Sequence, residues 1–420
     1  CSISAAFFTA VFLAHAMGAG GYGSYSYAIA VLGVFYTPIG SAISNLLVKE
    51  LSVGDERFQK SINYSVREWS RNLVRGISIA SITLSLFALL VCHWLLCSDS
   101  YKVYSMGIIA VLLILLEVRI SGLIQSSGSV VRAQIPAHVL RPGLFLVSLS
   151  LAYVFGSEQV FTPVVVMSIY ALACALSLLC SIYMLKRFRQ PAPTRPRGVC
   201  SQEKRWLPKL APLFVISVVG ILNAQVDLLI LGFFTHDSEL GVYRAAIQFS
   251  LLLNAGLMVV NMSVAHQVAG LQSGGDLTVV QRSLNQAFIV LMIVITPVAS
   301  LLILYPEELL ANVFGADFSA GSGALIVLVI AQWLNAFFGP VGVILLMTGN
   351  ERFVKFALVG SLLTKAGLCF YLIPGAGIFG SALASVFGVF ASNLYMWHVS
   401  LRRVGLNTLG VFGGGGWSSK

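Results

Sequence analysis

Among the charged side chains inside long apolar runs of the sequence, where there is no water to stabilise a charge, five are candidates for chemistry. They are Arg119, Arg141, Asp227, Arg244 and Lys365. An ionised side chain at the centre of a bilayer costs roughly 2.5–3.5 kcal/mol on insertion scales, so such residues usually pair with one another or face a polar cavity. Their chemistry is electrostatic: a carboxylate can hold a cation or a proton, and Lys or Arg can hold an anion.

Asp227 and Arg244 lie on either side of one short break between apolar runs. Asp227 precedes the break by about six residues and Arg244 stands just after it, so a helical hairpin would bring both to a similar depth. This placement predicts an Asp227–Arg244 ion pair that staples the hairpin. The alternative is that Asp227 is a coupling carboxylate for a proton or another cation.

Amide and small residues form polar stripes at helical spacing on three apolar runs. The stripes are Gly220, Asn223 and Asp227; Gln332, Asn335, Gly339 and Gly342; and Pro38, Ser41 and Asn45. Residues spaced in this way share one helix face. Such faces either line a cavity or serve ordinary helix packing, and the sequence leaves both interpretations open.

The apolar runs themselves predict about twelve transmembrane helices. The chain of 420 residues is 57% apolar and 10% charged, and each helix needs roughly 20 apolar residues to cross a hydrocarbon core about 30 Å thick. The runs lie near 1–17, 23–47, 77–97, 104–127, 137–156, 160–185, 210–233, 239–266, 284–305, 322–348, 353–373 and 377–399. We therefore expect an all-α integral membrane protein.

The basic residues are distributed unevenly between the two sides of these spans. Of the 26 Lys and Arg residues, 22 fall in the even-numbered gaps and the C-terminal part. By the positive-inside rule these segments face the cytoplasm, so we expect a multi-pass membrane protein with a cytoplasmic C-terminus. The net charge of +10 is thus explained by topology, and no soluble basic module points to a nucleic acid partner.

The longest polar interruption divides the predicted spans into two sets of six. It covers 186–209, contains KRFRQPAPTRPR, and predicts a basic cytoplasmic linker. It separates an N-terminal six-helix bundle, 1–185, from a C-terminal one, 210–405. The glycine-rich residues 406–420 predict a flexible tail. Because Cys1 lies within an apolar run, we expect the first helix to be truncated.

The two predicted bundles share short sequence matches at equivalent spans. Residues 22–29 align with residues 240–247 in the frame Gly-x-Tyr-x-x-Ala/Ile, and residues 141–144, which read RPGL, align with 365–368, which read KAGL. Six spans per bundle give both copies the same orientation, so we expect a pseudo-two-fold axis along the membrane normal. Repeats of this kind place a substrate cavity between the bundles.

Several segments together resemble a known family of exporters. Residues 13–23 are similar to the LAR-x-LG-x-x-x-YG start of the second span of polysaccharide exporters, with His15 where that family often has Arg. Further motifs recur in the family's order: QVDLLILG at 225–232, LGVYRAA at 240–246, GP at 339–340 with LMTGNER at 346–352, and GIFGSALA at 377–384. The chain resembles the Wzx-type oligosaccharide flippases of the multidrug/oligosaccharidyl-lipid/polysaccharide exporter superfamily.

The resemblance implies a transporter that moves an undecaprenyl-diphosphate-linked oligosaccharide across the bilayer by alternating access. Lys365, Arg119 and Arg141 are then predicted to bind the diphosphate. The amides predicted to bind substrate are Asn45, Asn223, Gln332 and Asn335. Coupling to a proton or sodium gradient, contact with membrane lipids and association with other polysaccharide-assembly membrane proteins are also expected.

Two other functions stay open. One is a cation-coupled multidrug exporter of the same superfamily, which would need an acidic, aromatic cavity. The other is a membrane glycan polymerase or glycosyltransferase, which would need a sizeable outer catalytic loop, whereas the outward gaps are short. We find no nucleophile elbow, Walker motif or metal-ligand cluster in the sequence, so we expect neither an enzyme nor a cofactor or metal.

Overall fold

The computed structural model describes residues 2–51, 68–76, 100–126, 129–155, 161–187, 203–271 and 277–409. The elements in these ranges are helices: α1 (Ser2–Leu51), α2 (68–76), α3 (Ser100–Gln125), α4 (Val130–Ile135), α5 (Arg141–Phe155), α6 (Pro163–Arg187), α7 (Glu203–Phe234), α8 (Asp237–Leu271), α9 (Leu277–Leu304), α10 (Pro306–Phe314), α11 (Ser322–Phe338), α12 (Val341–Met347) and α13 (Glu351–Arg403). A π-helical turn, Pro136–Leu140, joins α4 to α5, and a 3-10 turn, Ala316–Gly321, precedes α11.

Within these ranges, nine helical stretches are long and apolar enough to cross a membrane. Two of them, Ser4–Lys49 and Glu351–Arg403, have 46 and 53 residues, and each is interrupted by a glycine with positive φ. With each of these two counted as a pair, the described chain accounts for eleven of the twelve predicted spans. The predicted third span, 77–97, lies outside the described residues. The predicted all-α membrane fold is confirmed.

Helix α13 folds back on itself at Gly377, where φ is 52° and ψ is −131°. Beyond this turn, a Cβ atom added at Gly388 would lie 3.2 Å from the Cβ of Lys365 and 3.3 Å from the Ser361 carbonyl oxygen. Lys365 and Gly388 stand almost equally far along the chain from Gly377, so residues 351–376 (the first arm) and residues 378–403 (the second arm) run antiparallel, side by side. The missing side chain at Gly388 allows their close approach.

The predicted tenth span, 322–348, is wrong as one continuous helix. Helix α11 ends at Phe338 because Gly339 adopts φ 69° and ψ −157°, and α12 begins only after Pro340. Proline has no backbone N–H to continue the hydrogen-bond ladder, so the Gly-Pro pair stops the helix. Gly342 therefore lies on a separate short helix and does not extend the polar stripe of α11.

The described helices form two compact units. Unit 1 comprises residues 1–9 and 24–221, and unit 2 comprises residues 10–23 and 222–420. The division expected in the linker 186–209 is instead found inside α7. The first part of α7 stays with unit 1 because Ser41 on α1 donates a hydrogen bond to Ser217 on α7, with an oxygen–oxygen distance of 2.8 Å.

One end of unit 1 is held by a core that joins several helices. Its buried side chains come from α1, α2 and α3: Ile43, Leu46, Leu47, Trp69, Val74 and Leu123. Partly buried leucines at the end of α6 and on the first part of α7 pack against this core. The apolar contacts therefore gather one end of α1, α3 and α6 together with the start of α7.

In unit 2, α1 and α8 cross at the two glycines that the sequence repeat aligns, Gly23 and Gly241. A Cβ atom at Gly23 would collide with the Asp237 carbonyl oxygen, and one at Gly241 would collide with the Ala19 carbonyl oxygen. Only glycine permits two helix backbones to come this close. The shared Gly of the Gly-x-Tyr frame is thus explained by packing.

The predicted flexible tail is wrong for its first four residues, 406–409. After Gly405, which has φ 76°, the Leu406 side chain is fully buried, and the Asn407 backbone exchanges two hydrogen bonds with the Gln281 side chain, at 2.6 and 2.9 Å. The Trp397 indole N–H also donates to Asn407 Oδ1 at 3.1 Å. Apolar burial and satisfied backbone groups therefore dock this segment onto unit 2, and residues 410–420 lie outside the described residues.

Candidate functional site

Asp227 and Lys365 form a buried ion pair in unit 2. The Lys365 Nζ lies 3.0 Å from Asp227 Oδ2. Lys365 is 7% exposed and Asp227 is 4% exposed. Asp227 lies on α7 and Lys365 on the first arm of α13, both in membrane-spanning helices. Each charge is expensive to bury alone, and the partner of opposite sign offsets that cost.

The Asp227 carboxylate is surrounded by further hydrogen-bond donors. Oδ2 accepts the Tyr243 hydroxyl from α8 and the Ser385 hydroxyl from the second arm of α13, each at 3.0 Å. Oδ1 accepts the backbone N–H of Leu228, also at 3.0 Å. Both oxygens are therefore satisfied by groups from three helices, and such a network fixes the position of the carboxylate.

Asn223, one turn before Asp227 on α7, binds the first arm of α13. Its Nδ2 donates to the Leu358 carbonyl at 2.8 Å, and its Oδ1 accepts the Ser361 hydroxyl at 3.2 Å. The Asn223 carbonyl also accepts a hydrogen bond from Lys365 Nζ at 3.0 Å. The Asn223 and Asp227 part of the predicted stripe therefore faces α13 and serves helix packing in this structure.

The predicted Asp227–Arg244 pair is wrong. The residue of α8 that reaches Asp227 is Tyr243, and consecutive residues on an α-helix point about 100° apart. Arg244 therefore lies on a different face of α8, and the cation bound to Asp227 is Lys365. Comparison of residue depths identified the correct part of the hairpin. It did not identify the face of α8 that turns toward α7.

A second buried ion pair lies in unit 1, between Glu117 on α3 and Arg141 at the start of α5. Glu117 is 1% exposed, and Arg141 Nη2 donates to its Oε2. Its other oxygen, Oε1, accepts the Ser177 hydroxyl from α6 at 2.7 Å. The arrangement matches that of unit 2: a cation, a carboxylate and a serine hydroxyl, all from membrane-spanning helices.

The π-helical turn Pro136–Leu140 places Arg141 in this site. Arg141 begins α5 directly after the turn, and its backbone N–H donates to the Pro136 carbonyl. The same carbonyl accepts the Ser177 hydroxyl at 2.9 Å. A π turn adds a residue to the helix and changes which side chains share a face, and such turns are frequent at functional sites. The turn therefore sets which side chain at the start of α5 faces Glu117, and that side chain is Arg141.

The three cations predicted to bind a headgroup each contact a different partner. Lys365 is bound to Asp227 in unit 2 and Arg141 to Glu117 in unit 1. Arg119 donates from Nε to the Ser70 hydroxyl on α2 at 3.2 Å. Two of the three positive charges are therefore neutralised by a carboxylate inside their own unit.

The remaining predicted amides lie in varied surroundings. Asn335 on α11 accepts a hydrogen bond at 2.9 Å from the Asn393 side chain on the second arm of α13. Gln332 is half-buried, whereas Asn45 on α1 is exposed. The contact of Asn335 with Asn393 is an inter-helix bond of the kind that the packing interpretation describes.

Several residues of the two sites were missed in the sequence. Tyr243, Ser385 and Ser177 carry no charge, and their spacing gives no signal that separates them from other hydroxyl residues. The Glu117–Arg141 pair does have a signal: both residues lie within about ten residues of the adjoining ends of two consecutive spans, so a depth comparison would have matched them.

Comparison with known proteins gives a family and a fold. Residues 1–266 match the Polysaccharide biosynthesis protein family. Over 171 residues the chain is 23% identical to the probable low-salt glycan biosynthesis flippase Agl15 of Haloferax volcanii, a match that covers 41% of this chain and 36% of that protein. The match therefore spans well under two thirds of that relative's length.

Two solved structures share the fold over nearly the whole chain. The lipid II flippase MurJ, in its inward closed conformation, has a TM-score of 0.74 at 16% identity and covers 97% of this chain and 86% of its own. An inward-facing multidrug resistance MATE family transporter of the MOP superfamily has a TM-score of 0.75 at 12% identity, with 99% and 96% covered. At these identities the two structures establish the fold alone. The family match over residues 1–266 confirms the expected resemblance to polysaccharide exporters. Since the family match covers more than half of the chain, this multi-pass membrane protein belongs to the Polysaccharide biosynthesis protein family.

Proposed function

We propose that this chain flips an undecaprenyl-diphosphate-linked oligosaccharide from the cytoplasmic to the outer leaflet by alternating access, for surface polysaccharide such as the O-antigen of lipopolysaccharide. The family match over residues 1–266 supports a role in polysaccharide biosynthesis. The relative from Haloferax volcanii, named a probable glycan biosynthesis flippase, supports movement of a glycan carrier. The fold shared with a lipid II flippase is consistent with a lipid-linked substrate.

The observation that carries the proposal is a cation inside a membrane-spanning helix of each unit: Arg141, whose side chain is 13% exposed, and the buried Lys365. A membrane protein keeps such charges inside its spans at a free-energy cost, so they indicate a task that needs positive charge. A lipid diphosphate is an anion that has to leave water when it crosses the bilayer. Arginine can bind its oxygens in a bidentate manner, and lysine can bind them as a point charge.

The proposed binding residues fall into two groups. Lys365, Arg119 and Arg141 bind the diphosphate. Amide side chains bind the sugar hydroxyls through their paired donors and acceptors. These amides are Asn45, Gln332, Asn223 and Asn335; the last two bond neighbouring helices in this structure and exchange those bonds for sugar hydroxyls.

A leaflet-resolved transport assay with purified protein tests the function. The protein is reconstituted in liposomes with a labelled undecaprenyl-diphosphate oligosaccharide, and the label in the outer leaflet is removed chemically at timed intervals. We expect protein-dependent exchange of the label between leaflets, with proton and sodium gradients imposed in separate arms to identify coupling. Equal rates in protein-free liposomes would reject the proposal.

The rival function is export of cationic drugs, and the carboxylates argue against it. Among the described residues the buried acidic side chains are Glu117 and Asp227, and each is neutralised by a basic side chain. Neither offers an unpaired negative charge to a cationic drug. Uptake assays with cationic dyes separate the two functions, since we expect no gradient-driven dye export.

The setting of this function follows from the charge distribution. We place the protein in the bacterial inner membrane with a cytoplasmic C-terminus, in contact with membrane lipids and alongside other polysaccharide-assembly membrane proteins. Disruption of the gene should leave lipid-linked repeat units on the cytoplasmic leaflet. The measurement is the amount of surface glycan, and unchanged surface glycan would contradict the proposal.

A further inference from the structure

Asp227 and Lys365 differ in how many other hydrogen-bond partners hold each of them. Asp227 accepts three hydrogen bonds besides that of Lys365, from Leu228 N–H, Tyr243 O–H and Ser385 O–H. The Lys365 ammonium has three protons to donate, and its contacts in the described chain are Asp227 Oδ2 and the Asn223 carbonyl, both at 3.0 Å. The carboxylate is therefore held without the lysine, whereas the lysine is held chiefly by the carboxylate.

We infer that Asp227 is a displaceable counter-ion, which holds Lys365 until a diphosphate oxygen of the substrate takes its place. This inference rests on the proposed function and names the step by which a buried, neutralised cation becomes available to an anion. Lys365 moves from Asp227 to the diphosphate, while Asp227 remains bound to its three other donors. Tyr243 and Ser385 then act as positioning residues, because they keep the carboxylate in place during the exchange.

The chemistry of the groups supports exchange at this pair. A lysine carries its charge on a flexible four-carbon stem and binds anions without a fixed planar geometry. A diphosphate bears more negative charge than one carboxylate and offers several acceptor oxygens. Since the carboxylate left behind keeps three hydrogen bonds, the exchange does not create a bare buried charge, which would otherwise be strongly unfavourable.

The ion pair in unit 1 differs in the number of hydrogen bonds that its carboxylate accepts. Besides Arg141, Glu117 accepts one hydrogen bond within the described chain, from Ser177. Departure of Arg141 would leave that carboxylate, which is 1% exposed, with a single donor. Exchange is therefore assigned to Lys365. Arg141 stays bound to Glu117, which holds α3, α5 and α6 together, and offers its remaining guanidinium N–H donors to the diphosphate.

Binding of undecaprenyl diphosphate to purified variants tests the inference, with uncharged undecaprenol as the control lipid. Asp227→Asn keeps the shape and the acceptor oxygen for the hydroxyl donors but removes the competing charge, so it should bind the diphosphate about tenfold more tightly than wild type. Lys365→Met should bind it about tenfold more weakly. The double variant should behave like Lys365→Met, and undecaprenol should bind equally in all four proteins.

Two further measurements keep the inference testable if Asp227→Asn folds poorly. Undecaprenyl diphosphate should raise the Tm of Asp227→Asn more than that of wild type, because the ligand supplies the missing negative charge. Tyr243→Phe retains both charges but removes one donor that competes with Lys365 for Asp227. It should therefore bind the diphosphate about threefold more weakly, since one neutral hydrogen bond is worth that order.

The exposed pair Glu351 and Lys355, on the same helix and 3.3 Å apart, provides the matched control. Glu351→Gln and Lys355→Met should leave the affinity unchanged. If wild type binds and flips the substrate but Asp227→Asn, Lys365→Met and Tyr243→Phe all bind like wild type, Asp227 is a structural staple and the inference is wrong while the function stands. If wild type neither binds the diphosphate nor moves the lipid, both proposals are overturned.

Discussion

Glu117 and Arg141 are bound to each other at the point where a π-helical turn gives way to α5. The sequence repeat aligns Arg141 with Lys365, and each proves to be neutralised by a buried carboxylate that also accepts a serine hydroxyl. The carboxylates come from non-equivalent helices, α3 in unit 1 and α7 in unit 2. The aligned cation is therefore shared by the two units, whereas the counter-ion is specific to each.

Removal of the Glu117 charge should destabilise unit 1 strongly. Glu117→Leu leaves Arg141 buried without a counter-ion, and breaking a buried pair from one side costs about 3–5 kcal/mol. We expect a marked fall in the midpoint of thermal unfolding in detergent. The double variant Glu117→Leu with Arg141→Met should recover most of that loss, because an apolar pair of similar volume carries no desolvation cost. A double variant as unstable as the single one would show that the pair does not act as a unit.

Much of the fold could be predicted from the sequence because the bilayer sets the length of each span. Apolar runs of about 20 residues mark the helices, and their order survives in the structure. The break at Gly339 and Pro340 could in principle have been predicted, since both residue types interrupt helices. The break was not predicted because the apolar run continues across it, and the length and composition of a run do not report backbone conformation.

The partners within the sites could not be predicted with equal success. Sequence periodicity shows which residues of one helix share a face, but not which face turns toward a helix far along the chain. Lys365 meets Asp227 because the first arm of α13 packs on α7, and no local pattern encodes that contact. Arg244 was the wrong choice because the adjacent Tyr243 occupies the facing position.

The hydroxyl of Ser177 should contribute measurably to the stability of unit 1. It contacts both Glu117 Oε1, at 2.7 Å, and the Pro136 carbonyl, at 2.9 Å. Ser177→Ala leaves two buried acceptors with one donor fewer, for a loss of about 1–3 kcal/mol. The control is Ser181→Ala, one turn further along α6, whose hydroxyl bonds, among the described residues, only to the Ser177 carbonyl of its own helix at 3.1 Å. Equal unfolding midpoints for both variants would contradict the bridging role.

Alanine at Gly241 should be tolerated poorly despite its small size. The added Cβ would collide with the Ala19 carbonyl oxygen where α1 crosses α8, and overpacking of this kind typically costs about 1–3 kcal/mol. Gly220→Ala on α7 is the matched control, because a Cβ atom there meets nothing within 4 Å. That substitution should be neutral or stabilising by up to about 1 kcal/mol, since alanine is the better helix former. Unfolding midpoints measured side by side distinguish a crowded crossing from a general intolerance of alanine.

Leu406 should anchor the segment 406–409 to unit 2. Its side chain is fully buried among Val264, Val268 and Leu284 with others of the same cluster, from α8 and α9. Leu406→Ala removes that contact and leaves a cavity, so the free energy of unfolding should fall by about 2–5 kcal/mol. Leu346→Ala, at a position on α12 that is 48% exposed, should change it by less than about 0.5 kcal/mol. Because the anchor also protects the Asn407 backbone through Gln281, limited proteolysis should cut Leu406→Ala after Val404 faster than it cuts wild type. Identical cleavage rates in the two proteins would mean that burial of Leu406 is not what holds the segment in place.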